Sequence, residues 1–384
     1  MSTQIQVLKT FAANFKTDPF LYFSPGRINL IGEHVDYNDG FVLPAAIDKG
    51  LWFAVAPNYT ETINIISADL NERFSVDVGP VNKSIGWKNY ILGVLHVLQK
   101  SRLPFNGFDC VFGGNLPQGA GLSSSAAVEC GLLFAINDIF QLGMLKPTMA
   151  LMAQQAEHAF PEVKCGVMDQ FANLMGKKDH VILLDCKSLE HEYLSFSLAQ
   201  YAIVLINSKV SHSLASGEYS IRRRQCWQGL SEIQKLDESI HTFRDIDSGY
   251  IETNKSLFSD EVYKRCLYVT DEMRRTQQAK TLLQQGDIAA FGKLMYATHN
   301  GLSNLYDVSC PELDFLVEQA AATNAVVGAR LMGGGFGGCT INLIKKENAS
   351  AVIGSILSAY QKKFGITAEV IEVALGDGTH EMEL

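Results

Sequence analysis

No stretch of the sequence reaches ~18 consecutive apolar residues, so nothing in it predicts a membrane-spanning helix. Basic residues are in deficit: 32 lysines and arginines stand against 41 aspartates and glutamates, a formal net charge of −9. Such a chain offers no basic face to neutralise a phosphate backbone, which argues against general nucleic-acid binding. None of the eight cysteines falls in a Cys-x-x-Cys pair. Their wide gaps fit neither a zinc site nor the framework of a small disulfide-stapled domain, and the apolar neighbours of most mark them as small core residues. Met1-Ser-Thr-Gln-Ile-Gln lacks the basic segment and apolar run of a secretory leader. Repeats and low-complexity tracts are missing as well. These absences lead to the expectation of an acidic cytoplasmic protein with neither membrane nor nucleic acid as partner.

What is present suffices for real cores. The 384 residues are 47% hydrophobic and 19% charged, ordinary for a compact chain of two to three domains. The most informative stretch is Pro117-Gln-Gly-Ala-Gly-Leu-Ser-Ser-Ser125. Residues 108–112 alternate as a strand does, and residues 126–140 are apolar on nearly every face, as in a buried helix. The loop therefore joins a strand to a helix N-terminus. Gly119 and Gly121 let the backbone approach a ligand, the serines supply hydroxyls, and the first helical N–H groups lack internal partners. A phosphate suits that combination; a glycine-rich turn with a serine N-cap is the plainer alternative. No lysine precedes the serines, so this is not the Gly-x-x-x-x-Gly-Lys loop. Ser124 stands where a dinucleotide fingerprint needs its third glycine, and Asp138 lies inside the helix, which sets that fold aside.

Polar groups crowd a second stretch, residues 24–40. A short strand around Ile28 and Leu30 gives way at Gly32, and Glu33, His34 and Asp36 follow, with Arg27 six positions before Glu33. A salt-bridged turn would explain them. A metal site would want further histidines. Recognition of a hydroxyl-rich ligand fits equally, since carboxylates accept from hydroxyls and histidine can do either.

The remaining text reads as strands at 41–48 and 51–57, a hairpin of 63–66 with 74–78, and a helix at 87–100 whose Trp87 suits the core or an aromatic pocket. A helix over 147–160 turns Met149, Leu151, Met152 and Ala156 inward. Its Glu157 is either solvated or, beside a triphosphate, a magnesium ligand. Residues 165–175 form a helix in which Asp169 follows an apolar run. A buried aspartate needs a partner, and Arg27 is the candidate, whether for structure or for chemistry. Core strands at 181–184 and 201–206 flank a domain boundary near 188–197. Leu214 opens a long helix through Arg222-Arg223-Arg224, a solvated face by default, with Tyr219 facing the cleft. Residues 237–260 are a polar surface excursion, helices cover 259–285, 288–298 and 311–322, and the glycine-rich run 328–339 is a turn before a strand at 340–344.

Three of these stretches, in this order, form a pattern. Pro25-Gly-Arg-Ile-Asn-Leu-Ile-Gly-Glu-His-Val-Asp-Tyr-Asn-Asp-Gly40, the loop 117–127 and Leu331-Met-Gly-Gly-Gly-Phe-Gly-Gly338 resemble the motifs of the family grouping galactokinase, homoserine, mevalonate and phosphomevalonate kinases. The first motif has its galactokinase form. The resemblance implies an α+β, two-domain bilobal kinase. Residues 1–192 would resemble the second domain of ribosomal protein S5, and residues 193–384 a ferredoxin-like domain, with substrate in the cleft between. It also implies ATP-dependent phosphorylation of α-D-galactose at the anomeric hydroxyl, by a cytoplasmic monomer whose partners are galactose and ATP. Glu33, His34 and Asp36 would hold the sugar, with Tyr219 and the backbone near Gly166. Gly119, Ala120, Gly121, Leu122, Ser123, Ser124 and Ser125 would wrap the triphosphate, Ser125 and Glu157 would contact Mg²⁺, and Arg27 and Asp169 would flank the transferred phosphoryl group. Rival readings are a kinase for N-acetylgalactosamine or arabinose, or a sensor that binds galactose and ATP without turnover. The complete run Ser123-Ser-Ser-Ala-Ala127 and the presence of both Arg27 and Asp169 favour turnover.

Overall fold

The computed structural model describes residues 4–117, 119–211 and 215–383. Residues 1–3, Gln118 of the glycine-rich loop and Leu214 at the expected helix opening lie outside the described residues. A six-stranded sheet organises the first half, in the spatial order His380–Met382, Phe20–Asn29, Pro44–Pro57, Phe108–Gly114, Thr62–Ser67 and Glu72–Asp77. Neighbours are antiparallel except Thr62–Ser67 beside Phe108–Gly114. Pro44–Pro57 is one strand where the sequence suggests two: its two ends pair with Phe20–Asn29 on either side of a register shift, and the step between them is held by the Ile47–Leu375 bridge and the Asp48 N–H donating to the Ala374 carbonyl at 2.9 Å.

Helix Ser124–Ile139 lies on this sheet and is walled in by helices Lys88–Lys100, Lys146–Ala159 and Met168–Met175. That burial explains why the helix is apolar almost all round. Leu151, read as inward-facing, is instead exposed, while Met149, Met152 and Ala156 are buried as expected. The aspartate-bearing helix starts only at Met168, leaving Cys165 to Val167 as an entering loop.

A four-stranded antiparallel sheet, Val326–Met332, Gly337–Lys345, Tyr201–Ser211 and Glu369–Val373, forms the second half with helices Asp260–Gln284, Ile288–Asn304, Pro311–Ala321 and Ala349–Phe364. The result is a two-domain α+β fold. Strand His191–Ser195 runs across position 192/193 while paired with His180–Asp185. Its final strand then returns to the first sheet against Phe20–Asn29.

Three expectations are corrected here. Residues 237–260 are a packed segment, not an excursion: Ile240, Phe243 and Ile251 are buried, Thr242 and Asp245 form a capping box, and Arg244 pairs with Asp185. Arg222 is buried, donating to Glu218 and to the Tyr306 carbonyl, because its helix face meets the loop at 305–308. The glycine-rich run is mostly strand, and only residues 333–336 make the turn. Among the described residues no helix is long and apolar enough to cross a membrane.

Candidate active site

Strand Phe20–Asn29 breaks register between Pro25 and Arg27. Gly26 makes that break possible, since a Cβ there would stand 2.9 Å from the Leu122 carbonyl oxygen. The Arg27 N–H donates to that same carbonyl at 3.2 Å, bringing the strand against the glycine-rich loop. Beyond the strand, Gly32 turns with φ +89°, and its N–H donates to the fully buried Glu272 at 2.8 Å. Tyr268, also on helix Asp260–Gln284, donates to the Glu33 carbonyl at 2.9 Å. The signature loop is thus clamped by the second half of the chain.

Arg27, Glu33, His34, Asp36, Asp169 and Tyr219 line one pocket with about 140 Å³ of room, its wall completed by Glu157, Gly333 and Gly334. Arg27 and Asp169 meet in a two-pronged pair, Nε to Oδ1 at 2.7 Å and Nη2 to Oδ2 at 2.8 Å. The third guanidinium nitrogen donates to the Gly121 carbonyl at 2.6 Å, and Ser123 Oγ donates to Asp169 Oδ2 at 2.5 Å. Glu33 Oε2 receives Arg330 Nη1 at 2.8 Å and the Gly333 N–H at 3.2 Å. Both ring nitrogens of His34 are engaged, by Tyr37 and by the Gly334 carbonyl. Gly166 abuts Asp36 so closely that a Cβ would lie 2.1 Å from Oδ2.

Crowded, buried acids set the electrostatics. Burial, then Asp169 and Glu33, pushes Asp36 up to about 7. Burial, then Asp169, pushes Glu157 up to about 7 against the hydrogen bond from Ser125. Burial holds His34 down to about 4, so its ring is neutral at pH 7.

The glycine-rich loop takes left-handed backbone at Gly119, Gly121 and also Ser123 (φ +57°). Ser123 is the N-cap of helix Ser124–Ile139, yet its side chain makes no cap bond. Its hydroxyl serves Asp169 instead, and the first helical N–H groups remain open to an anion. Ala120 and Leu122 are buried and anchor the loop. The turn at 333–336 and the start of strand Gly337–Lys345 brace it from behind: Cβ atoms on Gly333 and Gly338 would lie 3.6 Å from the Gly121 and Gly119 carbonyl oxygens. Beside the loop opens a second pocket of about 560 Å³, where Leu51, Trp87, Phe112 and Val128 face Ser124 and Ser125. Ser125 lines this pocket, Glu157 lines the first, and the Ser125–Glu157 hydrogen bond joins the two.

Of the residues singled out in the sequence, Arg27, Glu33, His34, Asp36, Glu157, Asp169 and Tyr219 line the first pocket and Ser124 and Ser125 the second, whereas Gly119 to Ser123 and Gly166 line neither; Gly121 and Ser123 reach the first through Arg27 and Asp169, and Gly166 abuts Asp36. Arg330, Glu272, Tyr37 and Tyr306 were not singled out. Arg330 carried a signal, a charge inside the apolar run Val326-Val-Gly-Ala-Arg-Leu-Met332 that had to be paired. Glu272 sits among many charges of a long helix and carried none.

Three family descriptions match the sequence: "Galactokinase galactose-binding signature" over residues 9–57, "GHMP kinases N terminal domain" over 89–177 and "GHMP kinases C terminal" over 279–362. A galactokinase of Clostridium beijerinckii is 38% identical, across 98% of this chain and 99% of that protein. The human galactokinase is 38% identical, across 96% of this chain and 94% of its own length. The crystal structure of Lactococcus lactis galactokinase complexed with galactose superposes with a TM-score of 0.95 at 30% identity, over 99% of this chain and 100% of that one.

Proposed function

The chain belongs to the galactokinase family, and from that premise we propose that it transfers the terminal phosphoryl group of ATP to the anomeric hydroxyl of α-D-galactose, giving galactose 1-phosphate and ADP. The observation that carries this is the Arg27–Asp169 pair, which faces the acidic pocket while tied to the glycine-rich loop through the Gly121 carbonyl and Ser123. Charge and position are what phosphoryl transfer needs, because its transition state is loose and little covalent help is required.

In this reading Glu33, Asp36 and Tyr219 take sugar hydroxyls, His34 adds a ring nitrogen, and Gly166 lets the backbone close on Asp36. Residues Gly119 to Ser125 hold the triphosphate on open N–H groups and hydroxyls. The apolar pocket of Leu51, Trp87, Phe112 and Val128 suits a flat nucleobase, with Trp87 stacking on it. Arg27 stabilises charge on the moving group. Asp169, oriented by its bonds from Arg27 and Ser123, accepts a hydrogen bond from the attacking hydroxyl.

The donor set fits magnesium. Ser125 and Glu157 offer oxygen alone, and Glu157 sits where burial and Asp169 disfavour an uncompensated charge. They would hold Mg²⁺ together with water and phosphate oxygens. When bound, the ion neutralises phosphate charge.

The same reading makes residues 1–192, extended to Ser195 by the paired strand, the sugar-signature and phosphate-loop half, and the remainder the half carrying the third motif. Eight free thiols support a reducing, cytoplasmic compartment. ADP release across a panel of galactose, glucose, N-acetylgalactosamine and arabinose tests the proposal. Galactose should dominate; equal rates with another sugar, or no turnover at all, would reject it.

A further inference from the structure

Behind the sugar-facing side of His34 runs a chain of hydroxyls. His34 Nδ1 lies 2.8 Å from the Tyr37 hydroxyl, which lies 2.9 Å from the Tyr306 hydroxyl, which lies 3.1 Å from the Cys226 thiol. On the other side, His34 Nε2 faces the Gly334 carbonyl oxygen at 3.2 Å. One end of this chain has a fixed direction. A carbonyl oxygen can only accept, so the proton is on Nε2. Burial keeps the ring neutral at pH 7, so Nδ1 is bare and Tyr37 donates to it. The Tyr37 oxygen then accepts from Tyr306, and the Tyr306 oxygen accepts from the Cys226 S–H.

The chain is also rigidly mounted. Tyr306 and Cys226 are completely buried. Arg222 Nε donates to the Tyr306 carbonyl at 2.8 Å, and Arg265 Nη1 donates to the Leu305 carbonyl at 2.5 Å, fixing the backbone on both sides of the ring. Tyr268 packs on Tyr306 with centroids 4.6 Å apart. His34 itself is held in left-handed backbone, φ +60°.

We propose that Tyr37 and Tyr306 are positioning residues that hold His34 in the Nε2–H tautomer set by the Gly334 carbonyl, Tyr37 by donating to the bare Nδ1 and Tyr306 by orienting Tyr37, so that this corner of the pocket presents a hydrogen-bond donor and never an acceptor. The pocket then favours a ligand oxygen with a free lone pair there, and the Gly334 carbonyl holds the donor in place until one arrives. The consequence for substrate rests on the pocket being the sugar site; the tautomer does not.

Two measurements on the full-length enzyme separate those claims. Long-range ¹H–¹⁵N spectra, with His34 assigned by its loss in His34→Gln, should show a protonated Nε2 and a bare, hydrogen-bonded Nδ1 without any sugar present. In Tyr37→Phe the Nδ1 resonance should move towards that of an unbonded nitrogen. Its galactose KM should rise roughly fivefold, the factor one neutral hydrogen bond is worth, with kcat and the ATP KM within about twofold. Tyr306→Phe should shift both readouts the same way but less, because Tyr37 still donates. An Nδ1–H tautomer in the wild-type protein overturns the proposal, as does an unchanged Nδ1 resonance in Tyr37→Phe. If the tautomer is as stated but Tyr37→Phe leaves the galactose KM untouched, the substrate consequence is refuted.

Discussion

Adding one methyl group at Gly166 should disable sugar recognition while sparing the nucleotide. A Cβ at that position would stand 2.1 Å from Oδ2 of Asp36, 2.4 Å from Cγ and 2.7 Å from Cβ. Carbon contacts relax near 3.5 Å, so the aspartate must retreat by about 1 Å. Rotation of its side chain does not clear the clash, because the Asp36 Cβ is itself too close. The turn Asp36–Asn38 would have to move as a body, yet it is tied by Asn38 and Gly40 N–H groups to the Val35 carbonyl at 3.1 and 2.8 Å. Moving a carboxylate by about 1 Å forfeits a hydrogen bond, and one to a charged acceptor is worth about 1.5–3 kcal/mol. Gly166→Ala should therefore raise the galactose KM roughly 10- to 150-fold, with the ATP KM nearly unchanged, in a coupled assay of ADP release. If the methyl group acts through Asp36, the penalty should largely vanish when Gly166→Ala is added to Asp36→Gly, which removes the clashing Cβ together with the carboxylate. A galactose KM within about twofold of wild type, or penalties that simply add, would refute the reasoning.

Asp36→Asn should trade recognition for stability. The Asp36 carboxyl sits at about 7 in the fold, above its ordinary value near 3.9. Between those values the folded chain keeps a proton that the unfolded chain has released, so stability falls as pH rises through this window. The variant should thus melt at higher temperature than wild type at pH 8 and show little advantage at pH 4, while its galactose KM rises; no pH dependence in the difference would contradict the assignment. Arg330→Met leaves Glu33 buried without its 2.8 Å partner, and should cost about 3–5 kcal/mol in urea unfolding. A smaller loss would mean Glu33 finds another partner. Trp87→Ala should raise the ATP KM roughly 5- to 150-fold, the range for one stacked base, and leave galactose alone; the reverse pattern would move the nucleobase elsewhere.

Much of the site was legible because its chemistry is local in sequence. The glycines and serines of 119–125 announce an open backbone, and the run from Glu33 to Asp36 announces hydroxyl recognition. The Arg27–Asp169 contact was legible across 142 positions for a different reason: a buried aspartate needs a cation, and few arginines sit in apolar surroundings. The groups that hold the site still were hidden. Glu272 looks like any charge on a helix until its contacts with Gly32 and Thr298 are seen. Ser123 reads as an N-cap, and only the fold shows its hydroxyl turned to Asp169. Arg222 sits in a triple-arginine run that composition makes solvated, and becomes buried because Asp307 and the Tyr306 carbonyl happen to face it. Residues 237–260 are polar on average, so their few buried anchors, Ile240, Phe243 and Ile251, did not register as a pattern.

The central claim is that Asp169, gripped by Arg27 and Ser123, serves the chemistry and not merely the fold. ADP release from Asp169→Ala at saturating galactose and ATP, with binding of each followed separately, tests it most directly. Turnover should fall on the order of 10²- to 10⁴-fold while both ligands still bind within a few-fold of wild type. Near-wild-type turnover would contradict it.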